Sequence, residues 1–161
     1  MLIRNATLAD LAVVAEVERR CFPASEAATE EEFRERLEAY ADCFWLLFED
    51  GRLASFIDGM ATDEPDLRDE MYADASLHRP DGRWQMIFGL NTLPEHRGRG
   101  YAAMLVRHLT EESRKRGKLG VVLTCKERLV PYYASLGFEN EGLSSSTHGD
   151  VSWYQMRQTF R

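Results

Sequence analysis

The sequence predicts a single α/β domain in which a central mixed sheet carries helices on both faces. Apolar runs of strand length alternate with segments of helical periodicity, in the order βααββ, an insertion, and then βαβαββ. The chain has 161 residues, of which 44% are hydrophobic and 29% charged, so it can bury one substantial core. We find no internal repeat or low-complexity segment. We therefore expect one domain over residues 1–161.

The first third of the chain is predicted to form a strand, two helices and a hairpin. The predicted elements are strands Leu2–Ala6, Phe44–Phe48 and Leu53–Ile57, with helices that begin at the capping boxes of Thr7 and Thr29. The first helix should end near Cys21, because the residue before Pro23 avoids helical backbone angles. Asp50-Gly51 between two apolar runs is typical of a tight hairpin turn. Gly59, just beyond the hairpin, indicates a bulge or a close backbone approach.

The segment Ala61–Arg83 has no clear periodicity and carries seven acidic residues. We expect a short helix over Leu67–Tyr72 with loops around it. Connections of this length in a compact domain are usually functional or disordered. A lid over a substrate and a solvated insertion both fit the composition.

The centre of the chain has the pattern of an anion-binding site. Trp84–Leu90 is an apolar strand, Pro94 ends its ladder, and a glycine-rich loop over Arg97–Ala102 leads into a helix that ends at Gly117. Glycines let backbone N–H groups approach an anion, and the helix adds the positive end of its dipole. Two arginines of the loop supply forked donors suited to phosphate. The same residues are also compatible with an exposed basic turn that binds no anion.

The last third of the chain is predicted to add one helix and three strands. These are strand Gly120–Cys125, helix Leu129–Leu136, and strands Phe138–Leu143 and Val151–Met156, which a polar loop over Ser144–Asp150 connects.

The glycine loop carries a family resemblance. Arg97-x-x-Gly100-x-Ala102 after an apolar strand resembles the acetyl-CoA signature of the GNAT superfamily of N-acetyltransferases. Further stretches resemble its arylalkylamine (serotonin) N-acetyltransferase branch. They are Gly51–Ile57, Leu77–Pro80 with Gly82, and Leu129–Tyr133 with Gly137 and Phe138. The resemblance implies the GNAT fold, with a mostly antiparallel sheet of about six to seven strands.

The activity that the resemblance implies is direct transfer of an acetyl group from acetyl-CoA to a small primary amine, without a metal. Polyamines and the amines of peptides or lysine are alternative acceptors, and a non-catalytic acyl-CoA-binding module is an alternative from another class. In the family the strand before the loop pairs with the pantetheine arm through its main chain. The implied cofactor contacts are Asn91, Thr92, Leu93, Arg97, Gly98, Arg99, Gly100, Tyr101, Ala102 and Thr124.

The resemblance assigns an acid but leaves the base open. Tyr133 falls where the family has the tyrosine that protonates the departing thiolate, and a phenol is protonated at neutral pH. Animal members of the branch carry two histidines on the central strand, where this chain has Met86 and Phe88. Neither residue can move a proton. The remaining candidates for the base are Glu26, Glu64 and His78, and water is the alternative.

The acceptor pocket is predicted at the loop after the first helix. The resemblance assigns Phe22 and Pro23 to it, and Met60 and Phe88 could add apolar walls. Glu26 or an acid of the insertion would attract an ammonium group. A covalent route through Cys125 is a weaker alternative, because a buried cysteine more often packs as a small hydrophobe.

Composition limits the partners and the compartment. The net charge of −7 argues against nucleic-acid binding and is compatible with a cationic substrate. Three cysteines without metal-ligand spacing favour a reducing, cytoplasmic setting. The first residues lack the pattern of a signal peptide, and no apolar run reaches the ~20 residues that cross a bilayer. An apolar face on the last two strands would permit a homodimer.

Overall fold

The computed structural model describes residues 1–146 and 151–161 of the chain. In this part of the chain, five α-helices flank nine strands that form two sheets. The helices are α1 (Leu11–Cys21), α2 (Glu30–Tyr40), α3 (Glu70–Ala73), α4 (Tyr101–Lys115) and α5 (Val130–Ser135). The strands are β1 (Leu2–Asn5), β2 (Trp45–Glu49), β3 (Arg52–Asp58), β4 (Ala61–Thr62), β5 (Trp84–Ile87), β6 (Gly89–Thr92), β7 (Gly120–Cys125), β8 (Glu139–Leu143) and β9 (Tyr154–Thr159). The predicted Ser144–Asp150 loop lies partly outside the described residues.

The two sheets confirm the predicted mixed α/β fold class but differ from the expected single sheet. The first sheet has the order β1-β2-β3-β6 and is antiparallel throughout. The second has the order β4-β5-β7-β9-β8, and among the described ladders only β5 with β7 is parallel. The expected count of six to seven strands was wrong, because one predicted strand is divided between the two sheets and the insertion adds β4.

The division falls at Phe88, inside the predicted strand Trp84–Leu90. The Phe88 N–H donates to the carbonyl of Asp58 at 2.7 Å, and the register slips there. A Cβ atom on Gly59 would lie 1.8 Å from the Met86 carbonyl oxygen, so the two backbones touch at this point. The close approach predicted at Gly59 is therefore confirmed. It allows β5 to continue in one sheet while β6 leaves for the other.

The divergence leaves a gap between β6 and the end of β7. β5 pairs with β7 as far as Ile87 opposite Leu123. Thr124 and Cys125 extend beyond this last partner, while β6 pairs with β3 instead. The gap therefore opens at the carboxyl end of β7, and β6 on its other side leads into the loop before α4.

Two cores lie on opposite faces of the sheets. The face under α1 and α2 buries Phe33, Phe44 and Phe56 with Met60 and Met86. The face under α4 and α5 buries a second set, Ile57, Ile87, Leu105, Leu109 and Leu123. Helices on both faces were predicted and are confirmed. None of the helices in the described residues has the length and apolar character needed to traverse a bilayer.

A capping box and a hairpin turn that were predicted from the sequence are both present in the structure. The Thr29 hydroxyl accepts the Glu32 N–H at 3.1 Å, and the Glu32 carboxylate accepts the Thr29 N–H at 2.9 Å, so the capping box is complete. Asp50 and Gly51 have φ angles of 51° and 78° in the β2–β3 hairpin, as an Asp-Gly turn requires.

The insertion between β3 and β5 is packed against the second sheet. Leu67 and Met71 are buried in the core. The Leu67 N–H donates to the side chain of Gln155 at 3.1 Å, and Arg157 pairs with Asp66 at 2.7 Å. A helix was predicted over Leu67–Tyr72, and the structure has the shorter helix α3 (Glu70–Ala73) in this region.

The last two strands differ from their prediction in position and surface. β9 begins three residues later than predicted, because its ladder with β7 runs from Cys125 opposite Tyr154 to Gly120 opposite Thr159. β8 exposes Glu139, Asn140 and Glu141. The apolar face that would have supported a homodimer is therefore not found on β8.

Replacement of Gly59 by alanine tests the backbone contact at the divergence. The added methyl group would overlap the Met86 carbonyl oxygen, so we expect the free energy of unfolding in urea to fall by at least about 2 kcal/mol. Gly142→Ala is the comparison: its Cβ would meet open space, so it carries only the strain of alanine at a φ of 90° and should lower the stability less than Gly59→Ala. Wild-type stability of Gly59→Ala would show that the strands do not need this contact to diverge.

Candidate active site

A cavity of about 190 Å³ occupies the gap between β6 and β7. It reaches both faces of the sheets, because its walls include residues from α1 and α2 as well as from α5. Its lining residues are Glu18, Phe22, Glu26, Ala27, Ala28, Glu32, Arg36, Tyr72, Ile87, Phe88, Gly89, Leu90, Leu123, Thr124, Cys125, Lys126, Arg128, Leu129, Tyr133 and Trp153. A ligand in this cavity would touch charged groups on one face and a tyrosine on the other.

The glycine-rich loop has the backbone that anion binding requires. Gly98 and Gly100 have φ angles of 81° and 79°, and a Cβ atom at either position would meet open space. Gly100 caps α4, whose 15 residues begin at Tyr101. The first N–H groups of a helix have no partner within it and carry the positive end of the dipole. The loop can therefore hold a phosphate group against the start of α4.

The two arginines of this loop are not equivalent. Arg99 pairs with Glu49 at 2.7 Å, and His96 contacts the same carboxylate at 3.0 Å. The Arg97 Nε donates to the Thr92 carbonyl at 3.0 Å, and the Arg97 side chain also interacts with the Cys21 thiol, which is a neutral partner. Arg97 forms no ion pair with a carboxylate in the part of the chain that the structure describes. Arg97 is therefore the cation that this loop offers to an anion.

The main chain of β6 offers hydrogen bonds to the gap. The Leu93 N–H donates to the Ala54 carbonyl at 2.9 Å, so Leu93 faces β3. In an antiparallel ladder the N–H groups of successive residues point alternately toward and away from the partner strand. Asn91, which lies opposite Phe56 and two residues before Leu93, therefore also directs its N–H toward β3. The N–H groups of Leu90 and Thr92 then face away from β3. Among Asn91, Thr92 and Leu93, only Thr92 has the orientation expected of a pantetheine contact, and Leu90 joins it.

Tyr133 lies in the wall of the cavity on the face of α5. Its side chain is 8% exposed and packs edge-on against Phe138. Burial raises the pKa of the Tyr133 phenol above its ordinary value, so the hydroxyl stays protonated at neutral pH. Its neighbour Tyr132 is partly exposed and does not line the cavity.

Two further groups of β7 face the cavity. The Thr124 hydroxyl lies 3.3 Å from the Tyr72 hydroxyl, so the insertion contributes Tyr72 to the wall. Burial raises the pKa of the buried Cys125 thiol to about 11. At neutral pH this thiol is protonated and is a weak nucleophile.

The three predicted base candidates lie in different places. Glu26 lines the cavity, but its carboxylate pairs with Lys126 at 2.9 Å. Glu64 is exposed and pairs with Arg68. His78 does not line the cavity; its Nδ1 accepts the Ala61 N–H at 3.1 Å, and burial lowers its pKa. Of the three, only Glu26 could contact a bound substrate.

His78 belongs to a separate group behind the first core. Its ring packs on Tyr40 at 5.0 Å between centroids. One potential ligand atom each of His78, Asp42 and Cys43 lies within 4.8 Å of the others. Burial raises the pKa of the Cys43 thiol to about 12, which keeps it protonated, and the Nδ1 of His78 is already in use. This group is part of the packing.

The predicted acceptor residues are only partly brought together. Phe22 and Phe88 line the cavity, and Phe88 packs on Tyr72 at 4.7 Å between ring centroids. Pro23 is exposed outside the cavity. Met60 and Met86 are fully buried in the first core and do not line the cavity. The expectation that Met60 forms a pocket wall was wrong, because its side chain packs in the first core.

Two buried charged residues that line the cavity, Glu18 and Arg36, were not predicted from the sequence. Glu18 follows Leu11 and Val14 at helical spacing, and Arg36 follows Phe33 in the same way. Both therefore lie on the buried faces of their helices. A charged residue at helical spacing from the apolar residues of its helix is the sequence pattern that indicates such a position.

Comparisons with known proteins show the family of this chain. The sequence profile of the acetyltransferase (GNAT) family matches residues 11–138. The chain belongs to the GNAT family. Serotonin N-acetyltransferase of Mesocricetus auratus is 31% identical to this GNAT chain over 115 residues, which are 71% of the chain and 54% of that protein. N-acetyltransferase 8B of Homo sapiens is 29% identical over 63% of the chain and 40% of its own length. The GNAT chain spans about half the length of the curated relatives it matches.

Solved structures show the same fold. The GphF GNAT-like decarboxylase in complex with isobutyryl-CoA has a TM-score of 0.87 at 21% identity, and the match covers 100% of both chains. The ribosomal-protein-S18-alanine N-acetyltransferase of Escherichia coli has a TM-score of 0.73 at 20% identity, with 98% of this chain and 92% of that one covered. These likenesses confirm the GNAT fold, and the serotonin N-acetyltransferase relatives support the predicted branch.

Replacement of Arg97 by alanine tests the anion site. We expect acetyl-CoA affinity, measured by calorimetry, to fall about tenfold, since a charge-assisted contact to phosphate is lost. Arg99→Ala is the comparison. Because Arg99 is already paired with Glu49, its removal should weaken binding less. Equal losses for the two variants would contradict the distinction drawn between these arginines.

Proposed function

We propose that this GNAT domain is an acetyl-CoA-dependent N-acetyltransferase that transfers the acetyl group directly to a small primary amine of the arylalkylamine type. The observation that carries the proposal is the cavity in the gap between β6 and β7. Its walls include Leu90 of β6, the strand that leads to the glycine-rich loop, and Tyr133, whose hydroxyl is protonated. A thioester held along this gap would meet an acid on one face and an open approach for the amine on the other.

Cofactor binding in this proposal uses the loop and the strand together. The pyrophosphate lies against the N–H groups at the start of α4, with Arg97 beside it. The N–H groups of Leu90 and Thr92 hydrogen-bond the pantetheine arm or the thioester oxygen. Donors fixed at the position where negative charge develops lower the barrier to acyl transfer.

Tyr133 protonates the departing sulfur. The phenol is protonated at neutral pH and can donate its proton to a thiolate that forms beside it. The protonated Cys125 thiol favours direct transfer over a covalent acyl-cysteine route.

The comparisons support the reaction class. Relatives of this chain are serotonin N-acetyltransferases and N-acetyltransferases 8 and 8B. Neighbouring structures include a complex with isobutyryl-CoA and a paia N-acetyltransferase from Thermoplasma acidophilum in complex with coenzyme A. Aromatic side chains of the cavity, Phe22, Phe88 and Trp153, favour an acceptor with an apolar body.

The experiment that tests the proposal is thiol release from acetyl-CoA against a panel of arylalkylamines, polyamines and a lysine peptide. We expect release with arylalkylamines above the other two classes. Release with polyamines or the peptide instead would keep the reaction class and change the acceptor. Binding of acetyl-CoA without release on any amine would favour a non-catalytic acyl-CoA-binding module.

Replacement of Tyr133 by phenylalanine tests the acid. We expect turnover to fall at least tenfold with acetyl-CoA affinity unchanged, because only the proton donor is removed. Tyr132→Phe removes a neighbouring hydroxyl that lies outside the cavity and should leave turnover unchanged. Wild-type turnover in Tyr133→Phe would remove this tyrosine from the mechanism.

A further inference from the structure

The face of the cavity under α1 and α2 contains a cluster of buried charges. Glu18 from α1 is 6% exposed, Arg36 from α2 is 4% exposed, and Asp58 from β3 is fully buried. Arg36 pairs with Asp58 at 3.1 Å and donates to the Tyr72 carbonyl at 2.9 Å. The cluster therefore contains two carboxyl groups and one guanidinium.

Glu18 is the acid of this cluster that has no cation bound to it. Its oxygens accept hydrogen bonds from the Asn91 side-chain amide and from the Ala28 N–H, both of which are neutral donors. Among the described residues, no ion pair involves Glu18. A buried carboxylate without a paired cation is costly. Glu18 lines the cavity and Asp58 does not, so of the two carboxylates in this cluster a ligand can reach only that of Glu18.

We propose that Glu18 receives the ammonium group of the acceptor and takes its proton, as the general base of the reaction. This proposal rests on the N-acetyltransferase function proposed above. The substrate class is a primary ammonium on a short apolar or aromatic body, which Phe22 and Phe88 would flank. Glu18 then supplies the base that Met86 and Phe88 cannot supply.

The positions of Glu18 and Tyr133 separate the two proton transfers. Glu18 lies on the α1 and α2 face of the gap, and Tyr133 lies on the α5 face. The ammonium gives one proton to Glu18, and the neutral nitrogen forms a C–N bond with the thioester carbon. The C–S bond breaks with its electron pair on sulfur, which takes the Tyr133 proton. Tyr133 recovers a proton from the acylated nitrogen through water, and Glu18 releases its proton to solvent.

The groups around Glu18 determine the pKa of its carboxyl. Burial raises the pKa of its carboxyl, and the hydrogen bonds from Ala28 and Asn91 oppose this. Arg36 lowers the pKa of Glu18 and the neighbouring Glu32 raises it. Glu18 in turn raises the pKa of Asp58, the other acid of the cluster. Cys21 on the same helix is a protonated thiol. The net direction is upward, toward the pH at which a general base works well.

Glu26 is less suited to this role. Its carboxylate is held by Lys126 at 2.9 Å, and the Lys126 ammonium also lies 6.0 Å from the ring of Trp153. A substrate ammonium would have to displace this lysine. Glu18 needs no such displacement.

The test is Glu18→Gln, assayed by thiol release with the amine that the wild type uses best. Glutamine keeps the shape of the side chain and can still accept the Ala28 N–H. Its amide can donate to the Asn91 side-chain oxygen, which has no partner in the structure. We expect kcat/KM to fall at least about 100-fold, acetyl-CoA affinity to stay the same, and the acid limb of the pH–rate profile to disappear. Glu16→Gln changes an exposed glutamate of the same helix and should behave as the wild type.

A second variant keeps the carboxylate and moves it. Glu18→Asp withdraws it by one methylene, so we expect a lower kcat with the acid limb retained. The proposal is overturned if Glu18→Gln keeps at least half of the wild-type rate. It is also overturned if Glu18→Gln is slow but keeps the acid limb, or if Glu18→Asp turns over at the wild-type rate. If the wild type acetylates no amine, the proposed function itself fails, which is a separate outcome.

Discussion

The contact between the backbones of Gly59 and Met86 is the constraint on which the rest of the site depends. A side chain at position 59 would separate β4 from β5 and remove the point at which β5 and β6 part. Because the strands part there, β6 turns the N–H groups of Leu90 and Thr92 toward the gap. On its β5 side, the end of β7 at Thr124 and Cys125 is left without a partner strand. The cavity therefore arises from backbone geometry.

The same divergence explains why charged groups lie inside the domain. The carbonyl of Asp58 accepts the Phe88 N–H at the point of divergence, and its carboxylate is fully buried beside Arg36. Removal of one partner of such a pair typically costs about 3–5 kcal/mol, because the other charge stays buried. Burial raises the pKa of Asp58 to about 6. The folded state thus binds this proton more tightly than the unfolded chain, and the contribution of Asp58 to stability declines as pH rises from about 4 to 6.

Features specified by neighbouring residues could be predicted from the sequence. The capping box of Thr29, the Asp-Gly hairpin and the glycine-rich loop each depend on a few adjacent residues, and each formed as expected. The division at Phe88 could not be predicted, because an apolar run gives the same signal whether or not its strand is divided. Met60 is apolar in either a pocket or a core, and only the packing decides between them. Glu18 and Arg36 are remote in sequence, so the fold alone brings them to one cavity.

A crystal structure of the domain with coenzyme A would show directly whether the cofactor occupies the gap between β6 and β7. We expect the pyrophosphate at Gly98–Ala102, the pantetheine arm along β6, and the sulfur within hydrogen-bond distance of the Tyr133 hydroxyl. The Glu18 side of the cavity would then stay open for an amine. A coenzyme A molecule bound outside the gap, or a sulfur directed away from Tyr133, would show that the gap does not bind the cofactor in this way.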